Sequence, residues 1–184
     1  ENYESEGIDR KNIDIPINQN KLIQEICKVN NNVIVVLSNG SSIAMPWKDN
    51  VKAIITGYLG GEAGGRAIVN CLIGKVNPSG KLSESYPKDL SDTPCYNYYP
   101  GTELISEYKE SIYVGYRYYD KVNKEVLFPF GFGLSYTQFQ YSNLKVNKYD
   151  DKIEVKFKIK NIGKVTGKEI AQIYISQIEP KIYK

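Results

Sequence analysis

Residues 18–30 carry their apolar side chains at Leu22, Ile23, Ile26 and Val29, the i, i+1, i+4, i+7 stripe that predicts an amphipathic helix, and Asn30, Asn31 and Asn32 stop it. The pattern then changes at once. Val33-Ile34-Val35-Val36-Leu37-Ser38 is a continuous apolar run closed by Asn39-Gly40, which predicts a short parallel strand buried on both faces. Ala53-Ile54-Ile55-Thr56 repeats that signature, and residues 61–74 read as a second helix, opened and closed by glycine. Helix, strand, strand, helix is the succession of an α/β layered sheet.

From Lys75 to Phe132 the regular patterning dissolves into Gly, Pro and aromatic residues, as in Asn77-Pro78-Ser79-Gly80, Tyr98-Tyr99-Pro100-Gly101 and Phe128-Pro129-Phe130-Gly131. Flexible Gly/Ser linkers lack such an aromatic load, so this stretch is expected to be ordered and to wrap across other surfaces. After Ser135 a third pattern begins. Ile153-Glu154-Val155-Lys156-Phe157-Lys158-Ile159-Lys160 alternates with period two, predicting a strand with one face in a core and Lys on the wet face. Residues 161–168 read as a hairpin connection and Ile170–Ile175 as a further strand. A sandwich needs about seven strands, so the chain is expected to stop partway through an all-β domain.

Composition narrows the function classes. At 184 residues there is room for one ordinary domain, or for one and part of another. An apolar share of 41% and a charged share of 24% are those of a soluble globular protein. The net charge of +3, with the signs interspersed, is a poor footprint for nucleic acid, and no apolar run approaches the roughly 20 residues that span a bilayer. The absence of histidine excludes a Ser-His-Asp triad, a Cys-His pair and an imidazole metal site within the chain. Acid-base chemistry therefore falls to carboxylates, Lys or Tyr. Cys27, Cys71 and Cys95 are odd in number and far apart, which predicts unpaired thiols, no zinc site and a leaning towards the cytoplasm.

Glu4, Glu6, Asp9 and Arg10 form the densest polar cluster. Carboxylates around one Arg can be driven to different pKa values, which is how a general acid is made near neutral pH; a solvated loop ahead of a helix has the same composition. Spacing leaves both readings open. Gly57–Gly65 lacks the spacing of a phosphate loop and predicts tight strand-helix packing instead. The alternating aromatics of Tyr113–Tyr119 predict a packing strand rather than a stacking platform, and Trp47 a core or interface residue. Cys27 and Cys71, on apolar helix faces, read as small core hydrophobes.

Seven segments, taken in order, resemble the C-terminal half of bacterial β-glucosidases of glycoside hydrolase family 3: Glu4-Ser5-Glu6-Gly7-Ile8-Asp9-Arg10, Ile15-Pro16-Ile17-Asn18-Gln19, Val35-Val36-Leu37-Ser38-Asn39-Gly40, Met45-Pro46-Trp47, Asn77-Pro78-Ser79-Gly80-Lys81-Leu82, Val114–Asp120 and Phe128–Thr137. The resemblance implies an enzyme of three parts: a barrel with the nucleophilic Asp, an α/β sandwich with the acid/base Glu, and a fibronectin type III-like β-sandwich. This chain would hold the remainder of the layered α/β sandwich in residues 1–86, the aromatic wrapping segment in 87–136 and the start of the fibronectin-like domain in 137–184. The nucleophile would lie in the missing barrel.

By position within the Ser-x-Glu-Gly-like segment, the resemblance gives the acid/base role to Glu6, and makes Asp9-Arg10 the pair that holds its loop. Ile8 stands where many relatives place an aromatic residue on the leaving-group side, which makes it a candidate substrate-binding residue and puts aglycone preference in doubt. Arg66 is unusual for a packed helix. The implied activity is hydrolysis of terminal, non-reducing β-D-glucosyl residues with retention, without metal or cofactor, on a β-glucoside or oligosaccharide. The implied partner is the N-terminal barrel of the same protein, homo-oligomers are compatible with it, and the chain alone is expected to be inactive. The alternatives are a β-xylosidase or broader exo-glycosidase on the same scaffold, and a non-catalytic sugar-binding β-sandwich module.

Overall fold

The computed structural model describes residues 5, 7, 10–101 and 104–176. Its contacts divide the chain into two compact units, one made of the chain up to Val76 with Leu82–Phe132, the other of Asn77–Lys81 with the chain from Gly133 onward.

In the first unit, helix α1 (Ile17–Val29) starts behind Pro16, whose carbonyl accepts the Gln19 and Asn20 N–H groups at 2.8 and 3.3 Å. Proline suits that place because its fixed φ leads into a helix and its missing N–H is not needed there. Strands β1 (Ile34–Leu37) and β2 (Ala53–Thr56) pair in parallel, with Ile34 opposite Ala53 and Leu37 opposite Thr56. The connection between them supplies much of the core. Ile43, Met45 and Trp47 pack with Val35, Leu37 and Tyr86, and Ile15, Ile23, Val51, Ile54, Leu127 and Phe128 close around that cluster. Trp47 and Tyr86 are fully buried, and the Trp47 indole N–H donates to Asn20 Oδ1 at 2.8 Å, tying the connection to α1.

The expectation that β1 is buried on both faces is corrected here. Val35 and Leu37 are buried, whereas Ile34 and Val36 are exposed, so the strand covers one face only. The continuous apolar run conceals this alternation, because both faces are apolar and only one meets the core. On α1, Ile23 packs on the core while Leu22, Ile26 and Val29 stay exposed.

Helix α2 (Gly64–Leu72) starts three residues later than the glycine pattern suggests. The expected tight packing is present at its approach. A Cβ at Gly57 would lie 3.1 Å from Ile68 Cδ1 and 3.3 Å from the Leu37 carbonyl, and one at Gly60 would lie 3.0 Å from Gly64 Cα. Arg66 is on the exposed face of this helix, which removes the difficulty of an Arg in a packed helix.

The wrapping segment runs Leu82–Tyr86 antiparallel to Leu127–Phe132, with Leu82 N–H on Phe132 O and Tyr86 N–H on Phe128 O, each at 2.8 Å. Between these arms, Tyr116–Val122 forms helix α3, not the strand that its aromatics suggest. Gly115 enters at φ 56° and Asn123 leaves in the left-handed region, so start and stop signals flank it. Tyr116 stacks on Phe130 with centroids 4.9 Å apart, and Tyr119 is buried one turn further on.

In the second unit β3 (Phe139–Lys148) and β4 (Ile153–Asn161) form an antiparallel pair with a register shift between Ser142 and Lys145. Lys145 stands opposite Lys156. Val155 and Phe157 face inward and Lys156, Lys158 and Lys160 outward, as the period predicts, but Ile153 and Ile159 of the same apolar face are exposed. The strand expected at Ile170–Ile175 is corrected: these residues are irregular, and Ile173 and Ile175 are exposed. Apolar alternation makes a strand only where a neighbour receives its N–H and C=O groups, and no strand among the described residues does so. Asn77 fastens the start of this unit, accepting the Tyr136 N–H at 2.8 Å and donating to Thr166 O at 3.2 Å.

Trp47→Ala should remove about 3–5 kcal/mol from the first unit, read as a lowered urea midpoint. Burial, with the Asp92 charge nearby, pushes the Tyr119 phenol up to about 12. The unfolded chain releases this proton near pH 10, so the contribution is intact below about pH 10 and lost as pH rises through about 12. Tyr119→Phe should flatten that alkaline loss in urea midpoints.

Candidate functional site

Glu6 and Ile8, the two site residues expected from the sequence, lie outside the described residues, as do Glu4 and Asp9. Arg10, a described residue at the end of their segment, is tied to the fold. Its Nη2 donates to Ser41 Oγ at 2.6 Å and to the Ser42 carbonyl at 2.8 Å, in the turn that follows β1. Three residues later the Ile13 carbonyl accepts the Ala44 N–H at 2.8 Å, and Ile13 is buried.

The turn that receives Arg10 is itself held from inside. Asn39, 5% exposed, donates through Nδ2 to the Ser41 carbonyl at 2.7 Å and to the Tyr86 hydroxyl at 3.1 Å. The Tyr86 hydroxyl reaches the Tyr58 hydroxyl at 3.3 Å, and Ser38 Oγ donates to the Tyr58 carbonyl at 3.4 Å. Asn39 Oδ1 is buried with no hydrogen-bond partner among the described residues. Burial foremost, then the Tyr86 hydrogen bond, pushes the Tyr58 phenol far above its ordinary range.

Ser38, Asn39 and Ser41 follow β1, and Tyr58 follows β2. The cluster therefore sits outside the carboxyl ends of two parallel strands, the edge where open α/β sheets place their sites. A shallow cavity of about 700 Å³ lies at the other end of the pair, lined by Gln24, Cys27, Lys28, Asn31 and residues 49–52. It contains none of the expected site residues. Trp47 is core, as expected, and the three cysteines are half-buried thiols. Among the described residues no helix is long and apolar enough to cross a membrane, and no group of three or more Cys, Asp or Glu is arranged to hold a metal ion. The sequence reading missed Asn39, Tyr58 and Tyr86. Asn39-Gly40 marks a strand end in the sequence, and nothing local shows that its amide turns inward.

Residues 1–136 match the family described as glycosyl hydrolase family 3 C-terminal domain. Thermostable beta-glucosidase B of Acetivibrio thermocellus is 50% identical over 184 residues, covering 98% of this chain and 24% of that protein. An exo-alpha-(1->6)-L-arabinopyranosidase of Bifidobacterium breve is 42% identical over 175 residues, covering 94% of this chain and 23% of that protein. Among solved structures, a Bifidobacterium adolescentis GH3 beta-glucosidase superimposes with a TM-score of 0.83 at 42% identity, over 86% of this chain and 24% of that one. The chain thus spans about a quarter of the length of the curated relatives it matches.

Tyr86→Phe should cost about 1–3 kcal/mol, because Asn39 Nδ2 loses a buried acceptor. It should also lower the Tyr58 pKa, since a hydrogen bond that raises it disappears. Carbon-13 tyrosine ring signals followed over alkaline pH would show the drop.

Proposed function

The chain belongs to glycosyl hydrolase family 3, and we propose on that footing that it forms part of a retaining, exo-acting β-glucosidase and supplies the general acid/base. The observation that carries this reading is the family match across residues 1–136, which takes in the Glu6 segment. Support also comes from Arg10, which joins that segment to the carboxyl end of β1.

A retaining glycosidase needs a carboxylate nucleophile and a protonated carboxyl group about 5–5.5 Å away. Glu6 is the proton donor in this proposal: it protonates the departing glycosidic oxygen and, in the second step, takes a proton from the water that releases the sugar. The nucleophile belongs to the barrel in the remainder of the enzyme. Ile8 lies two positions after Glu6 and is proposed to border the leaving group with a smaller apolar surface than an aromatic ring would offer.

Residues 1–86 are proposed to be the later part of the layered α/β sandwich, with the aromatic segment 87–136 wrapped on it. The pair β3–β4 would be the start of the fibronectin type III-like sandwich over residues 137–184. A broader exo-glycosidase is the second reading, and the arabinopyranosidase among the relatives favours it.

Glu6→Gln, made in the enzyme that includes this chain, should lower kcat/KM for unactivated glucosides by about 10²–10⁴-fold while kcat/KM for nitrophenyl glucosides falls far less. Equal losses on both would remove Glu6 from the role. The isolated chain should release no nitrophenol from an aryl β-glucoside, and release would contradict a nucleophile held elsewhere.

A further inference from the structure

We propose that Asn39, which braces the turn after β1, is a site of intramolecular deamidation that the fold holds shut, and that the reaction makes opening of the first unit irreversible. Asn39-Gly40 is the one Asn-Gly pair in the sequence. A glycine after asparagine leaves the backbone nitrogen open to attack the side-chain amide, because no Cβ shields it. In that reaction the Gly40 nitrogen gives its proton to water or hydroxide and adds to Asn39 Cγ. The new C–N bond closes a cyclic imide, the Cγ–Nδ2 bond breaks, and Nδ2 takes a proton from water and leaves as ammonia. Water then opens the imide at either carbonyl, which yields an aspartyl or an isoaspartyl residue at position 39.

The folded site opposes every part of this chemistry. Asn39 is 5% exposed, which keeps away the water that must remove and supply the protons. The leaving nitrogen, Nδ2, donates to the Ser41 carbonyl at 2.7 Å and to the Tyr86 hydroxyl at 3.1 Å, and both bonds are lost when the amide departs. The amide oxygen, Oδ1, gathers negative charge as the Gly40 nitrogen adds, yet it is buried with no hydrogen-bond partner among the described residues. A site that lowers such a barrier aims donors at that oxygen, so the surroundings of Oδ1 are the reverse of an oxyanion hole. The orphan acceptor that costs the fold stability therefore also suppresses the reaction.

Deamidation then runs through the opened state, at the rate of an unstructured Asn-Gly pair multiplied by the fraction of chains that are open. The product cannot close again as before. An ionised aspartyl group has no N–H to give, so the Ser41 carbonyl loses its donor, and the new charge would have to enter a site shut off from water. An isoaspartyl linkage also routes the main chain through the side-chain carbon and displaces the turn. Tyr86, which packs with Val35, Leu37 and Trp47, loses its partner at that turn. An opening followed by deamidation thus removes the molecule from the folding equilibrium, and Asn39 sets a kinetic limit on the lifetime of the unit.

The test uses the whole enzyme that includes this chain, held at mildly alkaline pH with and without guanidinium chloride. Conversion of Asn39 is followed by mass spectrometry of the peptide that carries it and by enzymatic methylation of isoaspartyl groups. The native enzyme should stay unconverted while a synthetic peptide of the same local sequence converts, and in denaturant conversion should follow the opened fraction. Tyr86→Phe, which takes one acceptor from Nδ2, should speed conversion without denaturant by about tenfold. Gly40→Ala should slow conversion in denaturant and raise the activity recovered on dilution, whereas the activity lost by the unmodified sequence should match its converted fraction. If Tyr86→Phe does not fold, the comparison of native enzyme, denatured enzyme and free peptide decides. A native enzyme that converts as fast as the peptide, or a folded Tyr86→Phe variant that converts no faster than the parent, would overturn the protection. Full recovery of activity by molecules shown to be converted at position 39 would overturn the irreversible step.

Discussion

The first unit depends on burying Tyr86 with its hydroxyl paired. Its ring fills the space between Val35, Leu37 and Trp47 and meets Phe128 edge-on, with centroids 6.2 Å apart. Its backbone pairs with Phe128 and Leu127, and its hydroxyl meets Asn39 and Tyr58. A buried phenol left unpaired would cost several times what a typical hydrogen bond contributes, so the ring cannot enter the core unless the turn after β1 and the turn after β2 are both in place. Packing of the aromatic segment and placement of the polar edge are thus one event.

That coupling explains why the polar edge is made of uncharged groups. Asn39 and Tyr86 are buried and Tyr58 half-buried beside them, each donating or accepting without carrying charge, and Arg10 sits at the rim with its guanidinium on the turn. A carboxylate within the brace would have to be desolvated or neutralised.

Local patterns were legible wherever neighbours in sequence decide the outcome. β2 occupies Ala53–Thr56 as read, and α1 is displaced by a single residue at each end. Reading failed where distant partners decide. Tyr116 and Tyr118 suggest a strand, but Tyr116 and Tyr119 are also one helical turn apart, and stacking on Phe130 selects the helix. Residues 170–175 have strand chemistry without a strand beside them. At the site, Glu6 was accessible only through likeness to a family, whereas Arg10 was visible as a charge whose partners, Ser41 and Ser42, are more than 30 residues away. Asn39 gave no sign of its part, since an amide in a turn and an amide bracing one look the same in sequence.

The lysines of β4 have a meaning beyond amphipathicity. Lys156, Lys158 and Lys160 line the outward face of a two-stranded sheet, and Lys145 stands directly across from Lys156. Like charges facing each other cost the pair a little stability. In exchange, the ammonium groups repel a second copy of the hairpin that approaches this face. This defence is colloidal and travels with ionic strength: it weakens as salt shortens the reach of the charges, so the hairpin is best protected from its own kind in dilute electrolyte.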